Sequence, residues 1–502
     1  MDWRKIGGVV FLGLGLAAGA GAADRAAVAD AAERRDSAGV RKLLQASTDV
    51  NAAQVDGTTA LHWAVYHDDA ETVTLLLRAR ANVNALNRYG VPPLALASTN
   101  GNAATVTLLL EAGADANATM KGGETALMLA ARSGNAEAVK ALLVRGARTD
   151  ARERRGQTAL MWAAAEGHAA VVRVLLEVGA DMNAAVDSGV TAFFFAVREG
   201  HLDAVRAFLA AGADVKAMLR RPDSAPGGGV SPLLLAVQNG HFDLAIALVD
   251  AGADPNDVRT GFAPLHPIAW VRRPDNSDIS DPAPPAGSGR LSSLQFVREI
   301  VKRGANVNLR LPKGAPRQPN TSSKVETEGA TPFLLAADRA DIPLMRLLLE
   351  LGADPLLAND NKTTPLLAAA GVGTGEPAEE AGEESEALEA VKMLLALGAD
   401  INAVNDDGET VMHGAAHGIS PLVIELLAQR GADPTIWSKP NKYGRTPLFI
   451  AEGFVNPGGL PRPDAPTLEA VTKLMLAAGL STEGKRPEFV DRYSAPVKPA
   501  QP

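Results

Sequence analysis

The chain has 502 residues, is 46% hydrophobic but only 4% aromatic, carries a formal net charge of −9 and contains no cysteine. Absence of cysteine excludes disulfides, a thiol nucleophile, covalent haem attachment and a lipid-modified cysteine. The negative balance disfavours nucleic acid or anionic lipid as a general partner, and abundant small residues suit short, closely packed helices rather than a deep aromatic core.

The chain opens with Arg4 and Lys5, an apolar run from Ile6 to Ala18, and the small residues Ala20-Gly21-Ala22. This order predicts a secretory signal peptide over residues 1–22, and with it a periplasmic or secreted protein. The apolar run is shorter than the roughly 20 residues that span a bilayer, so no stable membrane anchor is expected. Residues 23–55 show helical patterning with Arg34, Arg35, Arg41 and Lys42, which reads as an amino-terminal capping half-repeat.

From there a period takes over. Gly57, Gly90, Gly123, Gly156 and Gly189 stand 33 residues apart, and a common phrase follows the glycine: Thr59-Ala60-Leu61-His62-Trp63-Ala64, Thr125-Ala126-Leu127, Thr158-Ala159-Leu160 and Thr191-Ala192-Phe193. It returns at Ser231-Pro232-Leu233, Thr331-Pro332-Phe333, Thr364-Pro365-Leu366, Thr410-Val411-Met412-His413 and Thr446-Pro447-Leu448. The Thr or Ser can accept from the first free amides of a helix, and Pro suits the first turn, where its missing N–H costs nothing. A second helix carries apolar residues at helical spacing, as in Val171, Val174, Leu175 and Val178, and stops at a glycine such as Gly179. Two such helices expose more apolar surface than they can cover for each other, so neighbouring units must stack. Regular repeats are expected over 56–218, repeats with insertions over 219–480, and a disordered tail over 481–502.

The 33-residue period with this phrase resembles the ankyrin repeat. The resemblance implies an all-α repeat fold: an ankyrin-repeat solenoid of about eleven helix-turn-helix units plus the capping half-repeat. It also implies a protein partner on the concave surface formed by turn tips and the exposed face of the first helix. On that surface the variable positions are Tyr66, His67, Arg88, Tyr89, Lys121, Arg132, Arg154, Arg155, Arg198 and Trp270, rich in the residue types that dominate interfaces. Lys121, Arg132, Arg152, Arg154 and Arg155 concentrate positive charge in an acidic chain, which suits a partner with an acidic surface. Trp63 and Trp162 lie inside the phrase and read as core.

Departures from the period are insertions: Leu219–Gly228 and Leu309–Glu328 between units, and Val271–Arg290, Gly371–Ala387 and Gly453–Pro466 between the two helices of a unit. These read as rim loops, and the acidic run from Glu376 to Glu386 as a solvated stretch. Arg80 replaces a helix-stopping glycine, a strain of about 1 kcal/mol.

Catalytic patterns are weak. No H-E-x-x-H or G-x-S-x-G occurs, and Gly479–Lys485 has the spacing of a phosphate loop but Arg486 where Ser or Thr is required. His413 and His417 share a helix face at a metal-binding spacing, yet His413 occupies the slot of the family's structural histidine. No cofactor and no metal are expected. The reading is a non-enzymatic, monomeric interaction scaffold. Two alternatives remain: an inhibitor or immunity-like partner of an exported enzyme, and a hydrolase whose site lies in the insertions, where Asp275, Asp278 and Asp281 are the available acids.

Overall fold

The computed structural model describes residues 26–219, 229–274, 287–318, 323–374, 383–453 and 463–483. The signal-peptide segment, most of the carboxy-terminal tail, the segment bearing Asp275, Asp278 and Asp281, and Glu376 to Glu380 of the acidic run lie outside the described residues. Among these there are 25 helices and no strand, only isolated bridges such as Thr119 with Thr125. Two compact units divide the chain, the first running to Asp187 and including Thr191–Phe193, the second including Ser188–Val190 and continuing from Phe194.

In the first unit the helices are α1 (Ala27–Glu33), α2 (Ser37–Gln45), α3 (Ala60–Tyr66), α4 (Ala70–Arg78), α5 (Pro93–Asn100), α6 (Ala103–Glu111), α7 (Ala126–Ser133), α8 (Ala136–Val144), α9 (Ala159–Ala165) and α10 (Ala169–Glu177). At the division stands α11 (Ala192–Arg198). The second unit continues with α12 (Leu202–Ala210), α13 (Pro232–Gln238), α14 (Phe242–Asp250), α15 (Ile268–Arg272), α16 (Ser293–Lys302), α17 (Pro332–Asp338) and α18 (Ile342–Glu350). It ends with α19 (Pro365–Ala369), α20 (Glu384–Ala396), α21 (Val411–His417), α22 (Pro421–Gln429), the short α23 (Pro434–Trp437), α24 (Pro447–Ala451) and α25 (Ala465–Ala477).

Apart from α23 the helices pair in sequence, and except in α1 and α15 the first helix of each pair begins at the recurring phrase. The hydroxyl oxygen of Thr125 accepts from the Met128 amide at 3.3 Å, that of Ser231 from Leu234 at 3.2 Å and that of Thr331 from Leu334 at 3.2 Å. Second helices bury one stripe: Val171, Val172 and Leu175 of α10 are wholly inaccessible, worth about 1.5–3 kcal/mol per side chain. Gly179, at φ 83°, then breaks α10 in the left-handed region. Arg80 takes the same conformation at φ 62°, the strained substitution for glycine anticipated above.

Polar side chains tie each pair to the next. Asn117 donates from Nδ2 to the Gly146 carbonyl at 2.9 Å and accepts at Oδ1 from the Arg148 amide at 2.9 Å; Asn308 does the same for Gly352 and Asp354. His62 accepts at Nδ1 from the Thr59 amide at 3.2 Å and donates from Nε2 to the Val91 carbonyl at 2.9 Å, so one ring caps its own helix and reaches the next turn. His413 repeats this with Thr410 and the Arg445 carbonyl, the structural role its slot predicts.

In the second unit some connections skip a neighbour. Arg273, just after α15, donates from Nη1 to Glu386 Oε2 at 2.7 Å and pairs again through Nη2, reaching past α17 and α18 to the start of α20. Glu384 accepts from the Leu422 amide at 2.8 Å. These two acids of the acidic run therefore bind structure rather than solvent.

Candidate partner-binding surface

Turn tips of the first unit are locked from below. Asn87 is buried and accepts at Oδ1 from the amides of Tyr89 and Val91, both at 3.0 Å; Glu153 fills the same slot two turns later and accepts from Arg155 and Gln157 at 2.9 and 3.1 Å. Anchored this way, the residues at the tip point outward. Arg88 donates to the Tyr89 hydroxyl at 2.6 Å and lies 4.8 Å from the ring centroid, a cation–π pair that holds both side chains in one arrangement.

The charges predicted to cluster divide into two kinds. Lys121 donates to the Arg88 carbonyl at 2.8 Å, and Arg152 donates to the carbonyls of Gly156 and Ala185, each at 2.8 Å. Both brace adjacent turns. Their acceptors are neutral carbonyls, however, so their positive charge is not cancelled. Arg154 and Arg155 are exposed at the tip, and Glu153, the acid beside them, is 9% exposed and occupied by turn amides.

On the first-helix face, Tyr66 is 47% exposed. Trp63 and Tyr66 meet edge to face at 5.8 Å, and Trp63 stacks on His67 at 5.8 Å. His67 is anchored by an Nε2 bond to the Glu33 carbonyl at 2.9 Å. Arg132 lies 5.0 Å over the Trp162 ring, while its carbonyl accepts from His168 Nε2 at 2.9 Å. Both tryptophans are half-buried and use their indole N–H on glutamines, Trp63 on Gln54 at 2.8 Å and Trp162 on Gln157 at 3.1 Å. The expectation that Trp63 and Trp162 belong to the core is thus corrected: they form the floor of the surface. A usable signal was present, since the fifth slot of the phrase changes between Trp63, Leu129, Trp162 and Phe195 while the Ala after it stays the same.

The last two predicted contacts belong to the second unit. Arg198 has a side chain 36% exposed, pairs with Glu199 and lies over Phe195 at 5.0 Å. Trp270 is a correction. It is 8% exposed and packs edge-on against Phe262 at 5.1 Å, so it fills core rather than meeting a partner.

Around the remaining histidines the chemistry is quiet. Burial holds His266 down at about 4 and His413 at about 4, leaving both rings neutral hydrogen-bonding groups. His417 stands 3.8 Å from Glu409, whose carboxyl burial pushes up. Among the described residues no group of three His, Cys, Asp or Glu is placed to hold a metal ion, and no helix is long and apolar enough to cross a membrane.

Sequence comparison agrees with this architecture. Residues 28–120, 113–186, 181–259 and 380–456 match the family model for ankyrin repeats in three copies, and residues 328–360 the model for the ankyrin repeat. These matches cover more than half of the chain, which belongs to the ankyrin-repeat family. It is 32% identical over 126 residues, 25% of this chain and 12% of the relative, to transient receptor potential channel pyrexia of Drosophila melanogaster. It is 36% identical over 73 residues, 14% of this chain and 10% of the relative, to ankyrin repeat and LEM domain-containing protein 1 homolog of Caenorhabditis elegans. The chain thus spans about a tenth of the length of these relatives, and the likeness is one of repeats. Ankyrin repeats mark it as a protein-interaction domain.

Proposed function

We propose that the protein is a non-enzymatic, monomeric and exported interaction scaffold whose first unit docks a protein partner with an acidic surface. Support for export is the patterning of residues 4–22 alone. The docking reading rests chiefly on one observation: on the first-helix face Arg132 lies 5.0 Å over the Trp162 ring, and Arg154 and Arg155 are exposed at a turn tip of the same unit. Such a surface offers flat apolar area and positive charge, which anchor a partner and steer its approach.

The test begins with affinity purification from the exported fraction using the full chain, followed by association kinetics with the recovered partner. Changing Arg154 and Arg155 together to Glu reverses two charges at the tip and is expected to slow association by about tenfold at low salt, with a smaller effect on dissociation. An unchanged association rate would overturn the acidic-partner reading. A partner that turns out to be a single exported enzyme, inhibited when bound, would shift the role to inhibitor.

A further inference from the structure

The residue seven places after the helix-opening slot sits at the far end of each first helix, on the face read above as the partner surface. In the earlier repeats this position carries Tyr66, Arg132 and Arg198 and is open, with Tyr66 47% and Arg198 36% exposed. Further along, the same position carries Trp270, Asp338 and His417, and all three are covered: Trp270 is 8% exposed, the Asp338 side chain 5% and the His417 side chain 9%.

Over Asp338 the cover is the chain itself. In the insertion after Leu309, Leu311 pairs with Ala330 and Gly329 through backbone bonds of 3.0 and 2.9 Å, closing the base of the insertion. At Gly261 an added Cβ would stand 2.1 Å from Pro316, so the insertion presses on the preceding turn. Gln318 Nε2 and Ser323 Oγ then donate to the two carboxylate oxygens of Asp338 at 3.4 and 3.1 Å. Beyond them Lys324 donates its amide to the Gly373 carbonyl at 2.7 Å, and an added Cβ at Gly373 would stand 2.5 Å from Val325. From Lys324 to Thr327 burial alternates: Lys324 and Glu326 face out, Val325 and Thr327 in, the period of an extended peptide lying on a surface.

We propose that the insertion after Leu309 is a ligand bound in cis: its described parts, residues 311–318 and 323–328, occupy the second unit's partner groove, Lys324–Thr327 as an extended peptide, which leaves docking in trans to the first unit. This rests on reading the first-helix face as the partner surface. The insertion is then an autoinhibitory strap rather than a rim loop, and the groove beneath it recognises an extended segment through Asp338.

The test removes the strap and returns it in trans. Residues 312–329 are replaced by Lys-Gly-Gly, the ordinary turn of residues 121–123, which spans the same backbone pairing between Met120 and Glu124. A fluorescein-labelled peptide of residues 311–328 is expected to bind this chain saturably in fluorescence anisotropy and not to bind the intact chain. Adding Asp338→Ala should weaken binding about tenfold, the worth of a hydrogen bond to a charged group. A strapless chain that keeps its helical circular dichroism but ignores the peptide overturns the proposal, as does equal binding by the intact chain. Loss of helicity overturns it too, because the strap would then be core. A milder variant of the intact chain, Val325→Asp, gives an independent reading by hydrogen exchange. The Lys324 amide should lose protection while α17 and α18 keep theirs, whereas loss across both helices contradicts the idea. Failure here is distinguishable from failure of the proposed function, since exchanging Arg154 and Arg155 reads the first unit alone.

Discussion

Three histidines, His62, His266 and His413, stand three residues after the helix-opening slot and give up solvent to serve as bridges. His62 and His413 join their own helix start to the next turn, and His266 reaches the Leu309 carbonyl at 3.1 Å. In His62 and His413 neutral imidazole is the form that does this, with Nε2 donating to the carbonyl while Nδ1 accepts the amide. Burial keeps His266 and His413 at about 4 in the fold, against roughly 6.5 when unfolded. Between those values the unfolded chain binds more protons than the folded one. Stability is therefore complete above pH ~6.5 and is lost as the pH falls toward about 4. Replacing His413 by Gln should lower the urea midpoint at neutral pH and flatten its decline between these limits; a decline as steep as the parent's would show that His413 does not contribute.

For single elements, the most exacting arrangement is the start of α18. Asp341 is wholly buried, accepts the Leu344 amide at 3.1 Å as a helix cap, and takes two bonds from Arg272 at 2.6 and 3.1 Å. Removing the carboxylate takes away the cap and leaves a mostly buried guanidinium without its counter-charge. Asp341→Ala should cost about 3–5 kcal/mol, read as a lower thermal midpoint with hydrogen exchange in α18 accelerated. Asp341→Asn keeps an acceptor for the Leu344 amide and should cost clearly less. Equal losses from the two would mean the cap contributes nothing. Neither Arg272 nor Asp341 belongs to the repeating phrase, and the 69 residues between them gave sequence reasoning no reason to join them. Trp270 departs from the expected exposure because it packs edge-on against Phe262 in the turn before its own helix.

Over the whole molecule, stacking means that each pair of helices is stabilised mainly by its neighbours. The amino-terminal pair α1 and α2 lacks the opening phrase, but Val28, Ala29 and Val40 are wholly buried, and the Glu33 carbonyl holds His67. Deleting residues 24–51 should expose α3 and α4 and speed exchange in α3 to α6, with protection unchanged from α13 onward; uniform loss along the chain would contradict nearest-neighbour coupling. What the sequence determined by itself was whatever repeats: the period, the helix starts at Thr or Ser, the glycine stops and the apolar stripes, because these depend on contacts within a unit and on the identical contact made at every step. Only the tertiary structure decided which copies of the surface stay open. Covering Asp338, reaching from Arg273 to Glu386 and turning Trp63 and Trp162 outward all depend on segments distant in the chain or on side-chain direction. A period reports the slot a residue occupies; what lies across from that slot is settled by where an aperiodic insertion comes to rest.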